Sequence, residues 1–137
     1  MKKILIVEDD KKIGAALEVR LKAAAYDVQV VADGLRSYLR AMTSPPDLIL
    51  MDIFIPMGSG LAVAQELREA GLAAIPIIFM TASKRKTLRS RADELNAVAF
   101  FEKPFDTDKL LAAIARALPS KNSTPVIHPI APAALKK

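Results

Sequence analysis

The segment that most constrains the fold of this chain is DLILMDIFIPMGSG, residues 47–60. It holds a short apolar run, residues 48–51, that begins after a Pro-Pro pair and ends at Asp52, with proline and glycine beyond. A continuous apolar run between such breakers is typical of a strand that is buried on both faces. We therefore expect Asp52 at the carboxyl end of a central strand, where open α/β sheets bind their ligands.

Strand and helix patterns alternate along the chain. The predicted strands cover residues 3–7, 27–31, 47–52, 76–80 and 98–101. The predicted helices cover residues 10–25, 33–44, 59–70, 84–95 and 106–118. This alternation predicts an α/β fold, a doubly wound five-stranded parallel sheet, for which the strand order 2-1-3-4-5 is one of two common solutions. The second strand has a polar interruption, which predicts a position near an edge.

Length and composition favour one globular domain. The chain has 137 residues, of which 52% are hydrophobic and 26% charged, as in folded proteins with a core. No apolar run approaches the roughly 18 residues of a membrane span, and Glu8-Asp9-Asp10 interrupts the apolar N-terminus too early for a signal peptide. The chain has no cysteine, so a disulfide framework and a thiolate metal site are excluded. We expect a cytoplasmic protein.

The net charge of +5 is concentrated at the end of the chain. Residues 121–137 hold three lysines and no acid, which leaves only +2 for the body. So small a charge does not support direct binding to nucleic acid. A local basic cluster, expected on a solvated helix face, comprises Lys84, Arg85, Lys86, Arg89 and Arg91.

Polar residues lie at the ends of strands that the expected order places side by side. Glu8 and Asp9 follow the first strand, Asp52 ends the third, Thr81 follows the fourth and Lys103 follows the fifth. Carboxylates packed together repel one another unless a cation is present, and Mg²⁺ takes a few carboxylates and often a phosphoryl oxygen. Lys103 and Thr81 suit an anionic oxygen. The pattern predicts a site for Mg²⁺ and a phosphoryl group, with Asp52 able to act as a carboxylate nucleophile.

On these residues the segment 1–118 resembles the receiver domain of two-component response regulators, which has the CheY-like, flavodoxin-like fold. Four motifs in the right order, each at a strand end, make the resemblance specific. It implies a phospho-accepting signalling protein that promotes only its own phosphorylation and dephosphorylation, rather than an enzyme. The matching motifs are Val7-Glu8-Asp9-Asp10, Asp52 with Pro56 and Gly60, Thr81-Ala82, and Lys103-Pro104-Phe105.

The resemblance implies a role for each site residue. Asp52 matches the phospho-acceptor, which attacks the phosphorus of a phosphohistidine or of a small phosphodonor. Asp9 matches the direct Mg²⁺ ligand and Glu8 its partner acting through water. With Asp52, the backbone carbonyl of Phe54 completes the protein ligands. Lys103 matches the lysine that pairs with the phosphoryl group.

Two further positions match the family's switch. Thr81 resembles the hydroxyl that moves toward the phosphoryl group, and Phe100 the aromatic whose inward or outward rotamer reports the state. Phosphorylation adds roughly −1.5 to −2 charge and three acceptor oxygens, so Thr81 and Lys103 are expected to move with their loops. The resemblance also implies a cis bond before Pro104. Asn96 stands where the family often has glycine, and Asn tolerates a left-handed conformation.

The implied partners are a histidine kinase or phosphotransfer protein and a downstream protein target. The fourth helix, fifth strand and fifth helix are the expected target surface, and the basic cluster there suits an acidic partner. The chain is expected as a monomer or a phosphorylation-dependent dimer.

Residues 119–137 form a Pro-rich tail or linker, which favours a stand-alone regulator. One alternative is a receiver fragment of a DNA-binding transcription regulator. Another is a Mg²⁺-dependent phosphatase with an Asp nucleophile, which would need a second aspartate as general acid where Phe54 stands.

Overall fold

A computed structural model describes residues 1–119 of the chain as alternating strands and helices. The strands are β1 Lys3–Val7, β2 Asp27–Val31, β3 Leu48–Asp52, β4 Ile77–Thr81 and β5 Ala99–Glu102. The helices are α1 Lys11–Ala23, α2 Gly34–Thr43, α3 Gly60–Leu67, α4 Lys86–Glu94 and α5 Thr107–Ala117. The predicted tail, 119–137, lies outside the described residues except for Pro119.

The five strands form one parallel sheet in the order β2-β1-β3-β4-β5. This confirms the predicted doubly wound fold. The order places the carboxyl ends of β1, β3, β4 and β5 next to one another along one edge. No helix described between residues 1 and 119 has the length and hydropathy that a bilayer crossing requires.

Two apolar layers hold the helices against the sheet. On one face α2, α3 and α4 cover residues such as Leu5 and Phe79, and on the other α1 and α5 cover Ile6 and Ile78. Every residue of β3 and β4 is buried, as their continuous apolar runs predict. A fully buried Leu, Ile or Phe contributes about 1.5–3 kcal/mol. Only Val28 is buried in β2, which confirms its edge position.

Side-chain caps begin the helices. The carboxylate of Asp10 accepts hydrogen bonds from the backbone N–H groups of Lys12 and Ile13, and Asp106 caps α5 in the same way. Such caps satisfy backbone donors that have no partner within the helix. Asp10 and Asp106 are thus the N-caps of α1 and α5.

Some element boundaries differ from the sequence prediction. The third helix ends at Leu67 instead of Ala70 and continues as a wide π-type turn, Arg68–Leu72, because Gly71 adopts a positive φ of 93°. Both β4 and β5 are displaced by one residue from the predicted spans. The helix α4 begins at Lys86, since the backbone of Arg85 is still extended.

Candidate functional site

Three carboxylates meet at the carboxyl edge of the sheet. Glu8 directly follows β1, and Asp52 is the last residue of the neighbouring β3. One oxygen from each of Glu8, Asp9 and Asp52 lies within 4.8 Å of the other two. The structure thus brings together the three acids that the strand-end pattern selects.

The ammonium group of Lys103 lies between two of these acids. Its Nζ donates to Oδ2 of Asp52 at 2.7 Å and to Oε1 of Glu8 at 2.5 Å. The backbone N–H of Lys103 donates to the carbonyl of Thr81 at 2.8 Å, which continues the pairing of β4 and β5 as far as the site. The bond between Lys103 and Pro104 is cis, as the resemblance implies.

Burial sets the electrostatics of this cluster. Glu8 is 2% exposed and Asp52 is 5% exposed, whereas Asp9 is open to solvent. Burial raises the pKa of Glu8, and hydrogen bonds from Lys103 and the Asp10 N–H only partly oppose that effect. Burial lowers the pKa of Lys103, but hydrogen bonds to Asp52 and Glu8 outweigh it, so the pKa is raised. Lys103 therefore stays charged beside the carboxylates.

The loop after β3 orients Asp52. The N–H of Phe54 donates to Oδ1 of Asp52 at 3.1 Å, and the N–H of Gly60 donates to the carbonyl of Ile53 at 2.8 Å. A Cβ at position 60 would collide with the backbone carbonyl of Asp52 and lie 2.7 Å from a side-chain atom of Met51. Only glycine allows α3 to begin this close to the end of β3.

The remaining predicted residues surround the cluster without joining it. The buried Thr81 accepts a hydrogen bond at Oγ1 from the Ser83 N–H, and within residues 1–119 it makes no hydrogen bond to the carboxylates. The side chain of Phe54 is half exposed, and its backbone pairs with Ser59 in an isolated bridge. Phe100 lies in the middle of β5, half-buried against the layer that contains α4.

Sequence reasoning did not find the contact that covers Phe100. The guanidinium carbon of Arg89, on α4, lies 4.9 Å from the centre of the Phe100 ring, within the range of a cation–π interaction. The sequence places Arg89 only within the basic cluster. Its place among the lysines and arginines of α4 gives no signal for an aromatic partner on another element.

The donor set fits a hard divalent cation. Oxygen ligands from carboxylates are those that Mg²⁺ prefers, and it is commonly held by one or two of them together with water and phosphate oxygens. In this cluster three carboxylates face one ammonium, so the acids outnumber the cation that pairs with them. A divalent cation would offset that excess, which burial makes costly.

Comparison with known proteins assigns this fold and site to one class. Residues 4–115 match the family described as the response regulator receiver domain. The chain belongs to that family, whose members act in two-component signalling.

Individual relatives support the same assignment. The chain is 39% identical over 112 residues to the transcriptional regulatory protein DltR of Streptococcus agalactiae, covering 82% of this chain and 50% of that protein. It is 38% identical over 112 residues to the transcriptional regulatory protein CusR of Escherichia coli, with coverages of 82% and 49%. The chain therefore spans about half the length of these curated relatives.

Solved structures share the fold over nearly their whole length. The non-phosphorylated receiver domain of HemR from Leptospira biflexa gives a TM-score of 0.79 at 27% identity, covering 90% of this chain and 99% of that one. The chemotaxis protein CheY4 of Vibrio cholerae gives a TM-score of 0.78 at 25% identity, with coverages of 86% and 99%.

Proposed function

We propose that this receiver domain is switched by phosphorylation of Asp52. The observation that carries the proposal is the buried Asp52 carboxylate, which is fixed by Lys103 on one oxygen and by the Phe54 N–H on the other. A carboxylate held in one orientation is a positioned nucleophile. The neighbouring ammonium provides positive charge where phosphoryl oxygens would arrive.

In the proposed step, an oxygen of Asp52 forms a bond to phosphorus. The P–N bond of a phosphohistidine, or the P–O bond of a small phosphodonor, breaks, and the leaving group keeps the electron pair and takes a proton from solvent. Mg²⁺, held by Glu8, Asp9, Asp52 and the carbonyl of Phe54, would supply positive charge to the phosphoryl oxygens. The donor would be a histidine kinase or a phosphotransfer protein.

Thr81 and Phe100 are proposed to carry the change away from the site. The hydroxyl of Thr81 accepts from the Ser83 N–H, and it still has its own proton to donate to a phosphoryl oxygen. Movement of Thr81, the last residue of β4, and of Lys103, which directly follows β5, would displace the ends of these two strands. Phe100 lies on β5, four residues after Asn96 and three residues before Lys103, so it would move with that strand.

The proposed output is protein binding through the surface formed by α4, β5 and α5. The basic residues of α4 are exposed there, which suits an acidic partner. We favour residues 1–118 as a receiver with a Pro-rich tail that acts alone.

A second candidate is a receiver joined to a DNA-binding output domain. It is favoured because the curated relatives are named transcriptional regulators and are about twice as long as the region they share with this chain. Reading the gene downstream of codon 137 distinguishes the two candidates.

The direct test is intact-mass spectrometry of the protein after incubation with Mg²⁺ and a small phosphodonor. We expect a single phosphoryl adduct that disappears when Mg²⁺ is chelated and in Asp52→Asn. The matched control is Asp93→Asn, which removes an exposed carboxylate on α4 and should be phosphorylated normally. An adduct that persists in Asp52→Asn would show that another residue is the acceptor.

Phe54 is proposed to limit access of water to the phosphorylated Asp52. Its backbone N–H donates to Asp52, two residues before it, and its bulky side chain is half exposed. In Phe54→Asn, dephosphorylation followed by the same mass measurement should be several-fold faster. An unchanged rate would remove this role from Phe54 while leaving the acceptor assignment intact.

A further inference from the structure

The helix α2 carries three large aliphatic side chains on the outside, while Tyr38 is half-buried against the core. Its buried residues are small, namely Gly34, Ser37 and Ala41. Its exposed apolar residues are spaced four and three apart, so they form one stripe along the helix. We call this stripe the α2 crest; it consists of Leu35, Leu39 and Met42, which are 48%, 51% and 40% exposed.

The crest continues into the loop that follows β3. Met57 is 65% exposed and lines a groove between α2 and α3 together with Leu35. The N–H of Gly34 donates to the carbonyl of Pro56 at 2.9 Å, which holds the loop against the start of α2. Single exposed apolar residues are normal, but a contiguous stripe of this kind marks a surface that binds another molecule.

The two flanks of the α2 crest carry opposite charges. On the side of β2, Arg36 and Arg40 of α2 line a groove of about 650 Å³ that is also lined by Glu8, Asp9, Asp10 and Glu18. Arg36 also forms a 3.6 Å ion pair with Asp33 at the start of α2. On the side of α3, Glu66 and Glu69 line the groove of about 620 Å³ that contains Leu35. Within residues 1–119, neither glutamate has an ion-pair partner. Beside the crest, the charged side chains of α2 itself therefore form a basic margin, and those of α3 and the turn after it form an acidic margin.

Charged residues on the two margins lie at similar positions along the axes of α2 and α3. Gly34 packs against Val63, where a Cβ would lie 3.3 Å from its side chain, and both helices run antiparallel to the strands. Arg36 follows Gly34 by two residues, and Glu66, which is still within α3, follows Val63 by three. A similar rise along each helix brings Arg36 to nearly the same position as Glu66 across the crest.

We propose that the α2 crest binds a second copy of this chain, with a two-fold axis running along α2. Rotation about that axis leaves each residue at the same position along the axis. It places the basic margin of one copy opposite the acidic margin of the other. Arg36 then faces Glu66 of the partner subunit, and the same pair forms again by symmetry. An axis perpendicular to α2 would bring the two basic margins together. The charges thus select the parallel arrangement, and the apolar crests of the two copies pack on each other.

The first test is sedimentation equilibrium of the full chain without a phosphodonor, across roughly 1 µM to 1 mM, the range of transient interfaces. We expect a monomer–dimer equilibrium. Leu39→Glu places a charge in the middle of the interface and should raise the dissociation constant at least about a hundredfold. The matched control is Val19→Glu, which changes an exposed valine on α1 and should leave it unaltered.

A monomer at every concentration would overturn the proposal, whatever else covers the crest. A dimer that Val19→Glu disrupts and Leu39→Glu does not would also overturn it, since it would place the interface on the other face of the sheet.

The second test exchanges the charges of one pair. Arg36→Glu lies in the first turn of α2 and Glu66→Arg in the last turn of α3, so both changes suit the helix dipoles and should preserve folding. Each alone should weaken dimerisation about tenfold, since two pairs per dimer become repulsive. The double variant should return to within about threefold of the original affinity. Additive losses in the double variant would refute the pairing.

Discussion

Replacing Lys103 with methionine tests how the acidic cluster is stabilised. The change removes the ammonium that contacts Asp52 at 2.7 Å and Glu8 at 2.5 Å, while side-chain length is nearly kept. Only 16% of the Lys103 side chain is exposed, so two buried carboxylates are left without their cation. Removing one partner of a buried ion pair costs about 3–5 kcal/mol of unfolding free energy.

In metal-free buffer this loss of unfolding free energy has an upper limit. Glu8 can be protonated, so it does not have to remain a buried carboxylate without a cation. Protonating a glutamate of ordinary pKa costs about 3.7 kcal/mol at pH 7 and about 1 kcal/mol at pH 5. Burial already raises the pKa of Glu8, which lowers that cost further. We therefore expect Lys103→Met to lose about 3 kcal/mol at pH 7 and about 1 kcal/mol at pH 5.

The direction of this pH dependence follows from proton linkage. In the variant, the folded state holds Glu8 with a raised pKa, so it binds more protons than the unfolded chain between pH 5 and pH 7. Its stability relative to the original protein therefore rises as the pH falls.

Urea unfolding followed by circular dichroism, with EDTA present, measures both free energies. The control is Lys84→Met, which breaks an exposed 3.6 Å ion pair with Glu102 and should change little. An equal loss at pH 5 and pH 7, or a loss no larger than that of the control, would refute this account of the cluster.

Three other substitutions should lower the free energy of urea unfolding by different amounts. Gly60→Ala should cost about 3 kcal/mol, since the added Cβ meets the backbone of Asp52, which cannot move aside as a side chain can. Asp10→Ala should cost about 1 kcal/mol, because α1 loses its N-cap. Arg89→Met should cost about 0.5–1 kcal/mol through the lost contact with the Phe100 ring.

Each of these substitutions has a control on the same type of residue. Gly14→Ala adds a Cβ whose nearest neighbour is a side-chain atom of Val30 at 3.2 Å, with side-chain atoms of Glu8 at 3.9 and 4.0 Å and no backbone atom among them, so its loss should be much smaller than that at position 60. Asp10→Asn keeps a capping oxygen and should retain most of the stability. Arg91→Met removes an exposed arginine of α4 and should be neutral. Equal effects within any pair would contradict the contact invoked for it.

The sequence contains enough information to predict the sheet and its functional edge. Continuous apolar runs identify β3 and β4, because strands covered on both faces need no polar residues. Parallel strands all end at the same edge, so Glu8, Asp52 and Lys103 were expected to meet there. The structure confirms that meeting. The roles of Asp52, Thr81 and Phe100 in phosphorylation and switching stay predictions.

Other features depend on distances between elements that no spacing rule provides. For its ammonium to contact both carboxylates, the side chain of Lys103 must extend across the end of β3. The position of Arg89 over Phe100 depends on how α4 rests on β5. The sequence also does not reveal that the apolar face of α2 points outward. A periodic apolar stripe shows that a helix has two different faces, but it does not show which of them packs on the sheet.

The strands β3 and β5 differ in burial, so we expect β3 to be more rigid than β5. Every residue of β3 is buried between helices, whereas no residue of β5 is fully buried. Asp52 therefore ends a strand that is packed on both faces, and Lys103 follows an edge strand that has no fully buried residue. A force generated between these two residues would displace β5 and leave β3 in place. Amide hydrogen exchange should accordingly be slowest in β3 and faster in β5.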